Sequence, residues 1–137
     1  MLFRSPGLLI AIGAAVALGD VSAFAVGTLV GRHRLAARVS PAKTWEGLAG
    51  TLLGALVGFE LMSFALPAWL PAWARWALPA LIAAGSVWGD LTESLLKRAR
   101  GVKDAGGLLP GFGGLMDRID SLLVVLPICY VALMVLQ

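Results

Sequence analysis

Between two apolar stretches, residues Ser94 to Asp120 read SLLKRARGVKDAGGLLPGFGGLMDRID. The segment carries five basic residues (Lys97, Arg98, Arg100, Lys103, Arg118) and three aspartates (Asp104, Asp117, Asp120) among glycines. Aspartates with no histidine or cysteine partner suit a hard, oxygen-preferring cation such as Mg²⁺. Lysine and arginine suit phosphate oxygens, and glycine lets the backbone come close to a ligand. Just upstream, Asp90, Glu93 and Lys97 fall at i, i+3 and i+7, one face of a helix. Asp90, Asp104, Asp117 and Asp120 are therefore candidate ligands for one or two divalent cations. Lys97, Arg98, Lys103 and Arg118 are candidate contacts for phosphate oxygens. No serine–histidine or cysteine–histidine nucleophile is apparent. A phosphomonoester needs none, because with a second pKa of about 6 it is largely ionised at neutral pH. The chemistry implied is metal-dependent work on phosphates at a membrane interface.

The surrounding chain is built for a bilayer. Its 137 residues are 59% hydrophobic and 14% charged, with mean hydropathy +0.88, against roughly 25% charged in a soluble domain. The expected fold is all-α: a polytopic integral membrane protein of about four transmembrane helices and two cytoplasmic polar loops, forming one domain over residues 1–137. Span one, about Pro6 to Val30, is read as a retained helix and not a cleaved signal. It repeats a small residue every fourth position (Ala15, Gly19, Ala23, Gly27, Gly31), a packing stripe. Asp20 within it is costly unless it faces a polar cavity, so it is a site candidate, expected to share that cavity with Asp90 and Glu93. The first loop, Gly31 to Glu46, has a Ser40-Pro41 turn signal and Thr44 as a helix cap. Lys43 and Ser40 beside the proline are placed to hold a ligand, whereas His33 is read as a surface residue.

Span two, about Gly47 to Leu66, presents Gly50, Gly54 and Gly58 on one face. Glu60 is its odd charge, read either as interfacial or as paired with a neighbouring helix. Pro67 to Pro79 reads as a short turn whose Trp69, Trp73 and Trp76 form an interfacial belt and not a platform for bases. Span three runs from about Ala77 to Lys97 and span four from about Ile119 to Leu136. Nine of the eleven Lys and Arg residues lie in the two loops, so the positive-inside rule places both loops in the cytoplasm and both termini outside. The pI near 9.6 thus reflects topology and phosphate ligands; no nucleic-acid partner is expected. Cys129, alone in its apolar run, excludes an internal disulfide.

Ser94-x-Leu96-Lys97-Arg98, then Lys103-Asp104-x-Gly106, then Leu109-Pro110-x-Phe112-Gly113-Gly114-x-x-Asp117-Arg118-x-Asp120 closely resembles the signature of the CDP-diacylglycerol synthase (phosphatidate cytidylyltransferase) family. Gly89-Asp90-Leu91-x-Glu93-Ser94 and Ser40-Pro41-x-Lys43-Thr44-x-Glu46-Gly47 are similar to the family's other blocks, and Asp20 with Ser22-Ala23-Phe24 is similar more loosely. The resemblance spans nearly the whole chain and corresponds to the family's C-terminal catalytic half.

It implies transfer of CMP from CTP to phosphatidic acid, giving CDP-diacylglycerol and pyrophosphate at the cytoplasmic face of a bacterial inner membrane. It implies Mg²⁺, with K⁺ as a second cation. By position, Asp90, Asp117 and Asp120 are the metal residues, with Asp104 beside them. Those three aspartates and Lys97 are the catalytic candidates. Lys43, Arg98, Lys103 and Arg118 contact phosphate, and Ser40, Thr44 and Ser94 offer polar contacts. The family pattern has histidine where this chain has Phe112, and its members are about twice as long, with further N-terminal helices. A homodimer or a partner subunit is therefore expected to help enclose the lipid among the membrane lipids. Two alternatives stay open: a cytidylyltransferase or CTP-dependent kinase for another lipid phosphate, and a non-catalytic membrane subunit derived from the family.

Overall fold

The computed structural model describes residues 5–36, 40–99 and 113–135, the side chains of residues 41, 42, 97 and 113–120 excepted. Helix α1 (Pro6–Leu29) opens on Pro6, whose missing N–H is one that the first turn has no use for. Strands β1 (Arg34–Ala36) and β2 (Ser40–Thr44) pair antiparallel, with Arg34 opposite Thr44 and Ala36 opposite Ser40. Helix α2 (Trp45–Leu61) follows β2 directly, because Thr44 turns extended backbone into helix: its side-chain oxygen accepts from the Gly47 N–H at 3.0 Å. A single 3₁₀ turn at Ser63–Ala65 leads away from α2. Helices α3 (Ala74–Ala99) and α4 (Gly113–Val135) complete the chain.

Two helix pairs make the body: α1 lies along α2, α3 lies along α4, and α2 joins the pairs through α3. The glycine face of α2 explains the first pair. A Cβ added at Gly50 would stand 2.8 Å from the Ser22 carbonyl oxygen, and one at Gly58 would stand 2.6 Å from that of Ala14. Backbone meets backbone there, the close approach that small residues permit between membrane helices. The second pair is set by two ladders at four-residue spacing. Leu78, Ile82 and Ser86 are buried along α3 and lead up to Asp90; Leu133, Cys129, Val125 and Ser121 are buried along α4. Asp90 meets Ser121, and Gly85 packs against Val125 and Ile128, so the helices run antiparallel in that register.

Several expectations need correction. The first loop is not irregular and the fold is not purely helical, since Ser40–Thr44 pairs with Arg34–Ala36 as a hairpin. The expected turn over Pro67–Pro79 is shorter, because α3 already begins at Ala74 and carries Pro79 inside it. Proline there forfeits only the N–H that would meet the Arg75 carbonyl, which a helix near its start tolerates. Helix α2 stops at Leu61, and α4 starts at Gly113, six residues before Ile119, so Asp117 and Asp120 belong to its first two turns. Glu60 is resolved as a helix–helix pair: Arg75 donates from Nη2 to Oε2 at 2.7 Å and from Nε to Oε1 at 3.2 Å.

The chain is mostly helical, and among the described residues one helix, α1, is long and apolar enough to cross a membrane. Helix α2 has 17 residues, while α3 carries Arg75, Asp90, Glu93 and Arg98 along its length.

Candidate active site

Asp90 is the centre of the described site. It sits on α3 four residues beyond buried Ser86, where that helix's apolar ladder turns polar. Lys43 Nζ donates to its Oδ2, and Ser121 Oγ on α4 donates to its Oδ1 at 2.9 Å. Three segments far apart in sequence therefore meet at one carboxylate: the hairpin, α3 and α4. The ion pair is neither dry nor open, with the Lys43 and Asp90 side chains 22% and 31% exposed. The carboxylate remains reachable from solvent.

Lys43 is held in place by the residues that flank it at the start of α2. The Trp45 N–H donates to the His33 carbonyl at 2.9 Å. The His33 N–H reaches both Glu46 carboxylate oxygens at 3.3 Å, and the His33 ring Nδ1 lies 2.7 Å from Oε1. With the Thr44 cap, these contacts lock the hairpin onto the start of α2. The His33 ring beside Glu46, aided by backbone N–H donors, lowers its carboxyl from 4.5 to about 2. A depressed carboxyl pKa stabilises the fold above its unfolded value and loses that effect as pH falls through the folded one. The tie is therefore complete above about pH 4.5 and lost toward pH 2. In a ¹³C NMR titration, Glu46 is expected to titrate near pH 2 in the native chain. In His33→Ala its midpoint should return toward 4.5; a midpoint already there in the native chain would mean that no such clamp exists.

The other candidates divide clearly. Ser40 lies half-buried in β2, and Thr44 spends its oxygen on the α2 cap. Ser94 is half-buried one turn beyond Asp90, and Arg98 is exposed near the end of α3 and engaged with a partner. Asp117, Arg118 and Asp120 lie on α4, and Lys97 lies on α3; their side chains are outside the described set. Lys103, Asp104 and Phe112 are outside the described residues altogether. Asp20 is half-buried on α1 and has its own partner. Among the described residues no group of three or more His, Cys, Asp or Glu could hold a metal ion, so Asp20, Asp90 and Glu93 do not by themselves make a metal cluster. Gly27 lies against Thr44 and Gly47, and Asp20 is seven residues, or about 10 Å of helix, further along.

Ser121 is the Asp90 contact that the sequence conceals, since α4 beyond Asp120 reads as apolar. Its signal is spacing: it stands four residues after Asp117, on the same helical face. Extending the α3–α4 register by one turn beyond Asp90 and Ser121 sets position 94 opposite position 117.

A cytidylyltransferase family model matches residues 3–136 of the chain. Among curated proteins, the phosphatidate cytidylyltransferase of Mycobacterium bovis is 43% identical over 109 residues, covering 80% of this chain and 35% of that protein. That of Pseudomonas aeruginosa is 41% identical over 123 residues, covering 89% of this chain and 45% of the relative. That of Synechocystis is 42% identical over 131 residues, covering 90% and 43% respectively. The chain thus spans less than half the length of these relatives.

Proposed function

The chain belongs to the cytidylyltransferase family, and from that premise we propose that it transfers the cytidylyl group of CTP to phosphatidic acid. A phosphate oxygen of the lipid attacks the α-phosphorus of CTP, the bond to the β-phosphate breaks, and pyrophosphate leaves. CDP-diacylglycerol remains in the bilayer. The observation that carries this reading is the convergence of Lys43, Asp90 and Ser121 from three segments. The loop and the third helix each contribute a residue of a family block to that point, and Ser121 directly follows the block that ends at Asp120.

The donor set fits a hard divalent cation. Asp90 presents carboxylate oxygens, it already accepts a positive charge from Lys43, and neither histidine nor cysteine is near it in sequence. Mg²⁺ takes only one or two carboxylates and keeps its other positions for water and substrate phosphate. Asp90, with Asp117 and Asp120 on α4, would hold it, and when bound it would neutralise charge on the triphosphate oxygens. Asp104 and a second cation, K⁺, belong to the same proposal. Lys43, Lys97, Arg98, Lys103 and Arg118 bind and orient phosphate oxygens. Ser121 fixes the Asp90 carboxylate by donating to Oδ1.

The four helices are the spans of a bacterial inner-membrane protein, with the hairpin and the 94–120 segment at the cytoplasmic face. The exposed apolar side chains of Phe24, Leu53, Val57, Trp88 and Leu123 then face acyl chains, a second copy of the chain or another subunit. The reading is tested by supplying the purified chain with labelled CTP, Mg²⁺ and a panel of lipid phosphates. CDP-diacylglycerol and stoichiometric pyrophosphate from phosphatidic acid are expected. No CDP-lipid from phosphatidic acid would overturn the reading, and product from a different acceptor alone would reassign the substrate.

A further inference from the structure

Lys43 and Asp90 have different tasks in the proposed reaction, one on phosphate and the other on metal, yet they are bonded to each other. We propose that the Lys43 ammonium is a tethered competitor for the cation position at Asp90. A divalent cation displaces it, and the freed ammonium turns to the triphosphate oxygens. The inference rests on the cytidylyltransferase reading and adds to it a coupling between metal and nucleotide.

The two donors on Asp90 differ in what they block. Ser121 brings a neutral hydroxyl to Oδ1, and a carboxylate oxygen has a second acceptor position, so that contact survives a metal. Lys43 brings a full charge to Oδ2. Two cations on one carboxylate repel, so either the ammonium or the metal holds that place. The backbone of Lys43 is fixed: Thr44 pairs with Arg34, caps α2, and precedes the Trp45–His33 bond. Only the side chain is left to move, and lysine is a compact charge on a flexible four-carbon stem. The partial exposure of both groups leaves water, and hence a hydrated ion, a way in.

The exchange has a direction. Free metal must displace the ammonium with no compensation, whereas metal arriving with a triphosphate gives the ammonium new oxygens to bind. The chain would therefore take up the metal–nucleotide complex in preference to free metal.

The test uses Mn²⁺ as the probe, with its bound fraction read by electron paramagnetic resonance on the full chain in detergent. Without nucleotide, Lys43→Met should bind Mn²⁺ roughly two- to fivefold more tightly than the native chain, the worth of a part-exposed ion pair. Lys43→Arg, which keeps a cation, should bind as the native chain does. Adding CTP should tighten Mn²⁺ binding by a larger factor in the native chain than in Lys43→Met. Lys43→Gln serves if the methionine variant fails to fold by thermal melt. Mn²⁺ affinity that is unchanged or weaker in the neutral variants overturns the exchange. With CDP-lipid still formed by the native chain, that result leaves the function standing. Absence of CDP-lipid from the native chain overturns the function by itself.

Discussion

Asp90→Asn is expected to lower the rate of CDP-lipid formation by roughly 10²–10³-fold, the scale of losing one charge-stabilising group from an active site, while leaving the fold intact. Asparagine keeps the shape of the side chain and an oxygen to accept from Ser121, so the buried Ser121 hydroxyl is not orphaned. What disappears is the negative charge. Its amide group then faces the Lys43 ammonium, and a divalent cation loses its anchor on α3. The ion pair that is lost is part-exposed and is worth about 0–1 kcal/mol, too little to unfold the chain. Activity and melting temperature therefore separate: the first collapses and the second barely moves. A variant with near-native turnover would show that Asp90 does not serve the chemistry. A variant that lost both together would make the residue structural.

The second large effect lies away from the site. Gly58→Val should destabilise the chain by about 1–3 kcal/mol, the usual cost of forcing atoms into a packed interface. Its new Cβ would stand 2.6 Å from the Ala14 carbonyl oxygen and 2.9 Å from the Ala15 Cα. Both are backbone atoms of α1, so no side chain can swing aside. Helix α1 has to move off α2, and the seat of the hairpin moves with it, since Gly27 and Gly47 lie against Thr44. Gly13 is the control, because a Cβ there meets nothing within 4 Å. Gly13→Ala should be neutral or stabilise by up to about 1 kcal/mol through helix propensity. Thermal unfolding in detergent checks both, and a Gly58→Val chain as stable as the native one would refute the packing of α1 on α2.

Much of this arrangement is legible in residue types alone. The glycine spacing on α2, the Thr44 cap and the marking of Asp90 as a site candidate all come from short-range rules. The pairing of residues 34–36 with 40–44 is hidden, because a five-residue strand containing Ser-Pro reads first as a turn. The start of α4 is misplaced by sequence reasoning because glycines at 113 and 114 argue against a helix that nonetheless includes them. Asp20 is marked by its type inside a span, and its place along α1 relative to Thr44 and Gly47 comes only from the register of α1 on α2. The Lys43–Asp90 contact, 47 residues apart, has no local signal at all. It emerges only when the hairpin is docked on α2 and α2 on α3.

The proposed chemistry depends on the signature residues of α3 and α4 facing each other across one pocket, in the register that the Asp90–Ser121 contact sets. Thiol cross-linking of Ser94→Cys with Asp117→Cys, in a chain whose own Cys129 is replaced by alanine, addresses it directly. Efficient cross-linking of that pair is expected, and none when the second cysteine is placed instead at Leu123, which is exposed on α4. Cross-linking at Leu123 but not at Asp117 would mean that the two helices meet in another register and that no common pocket exists.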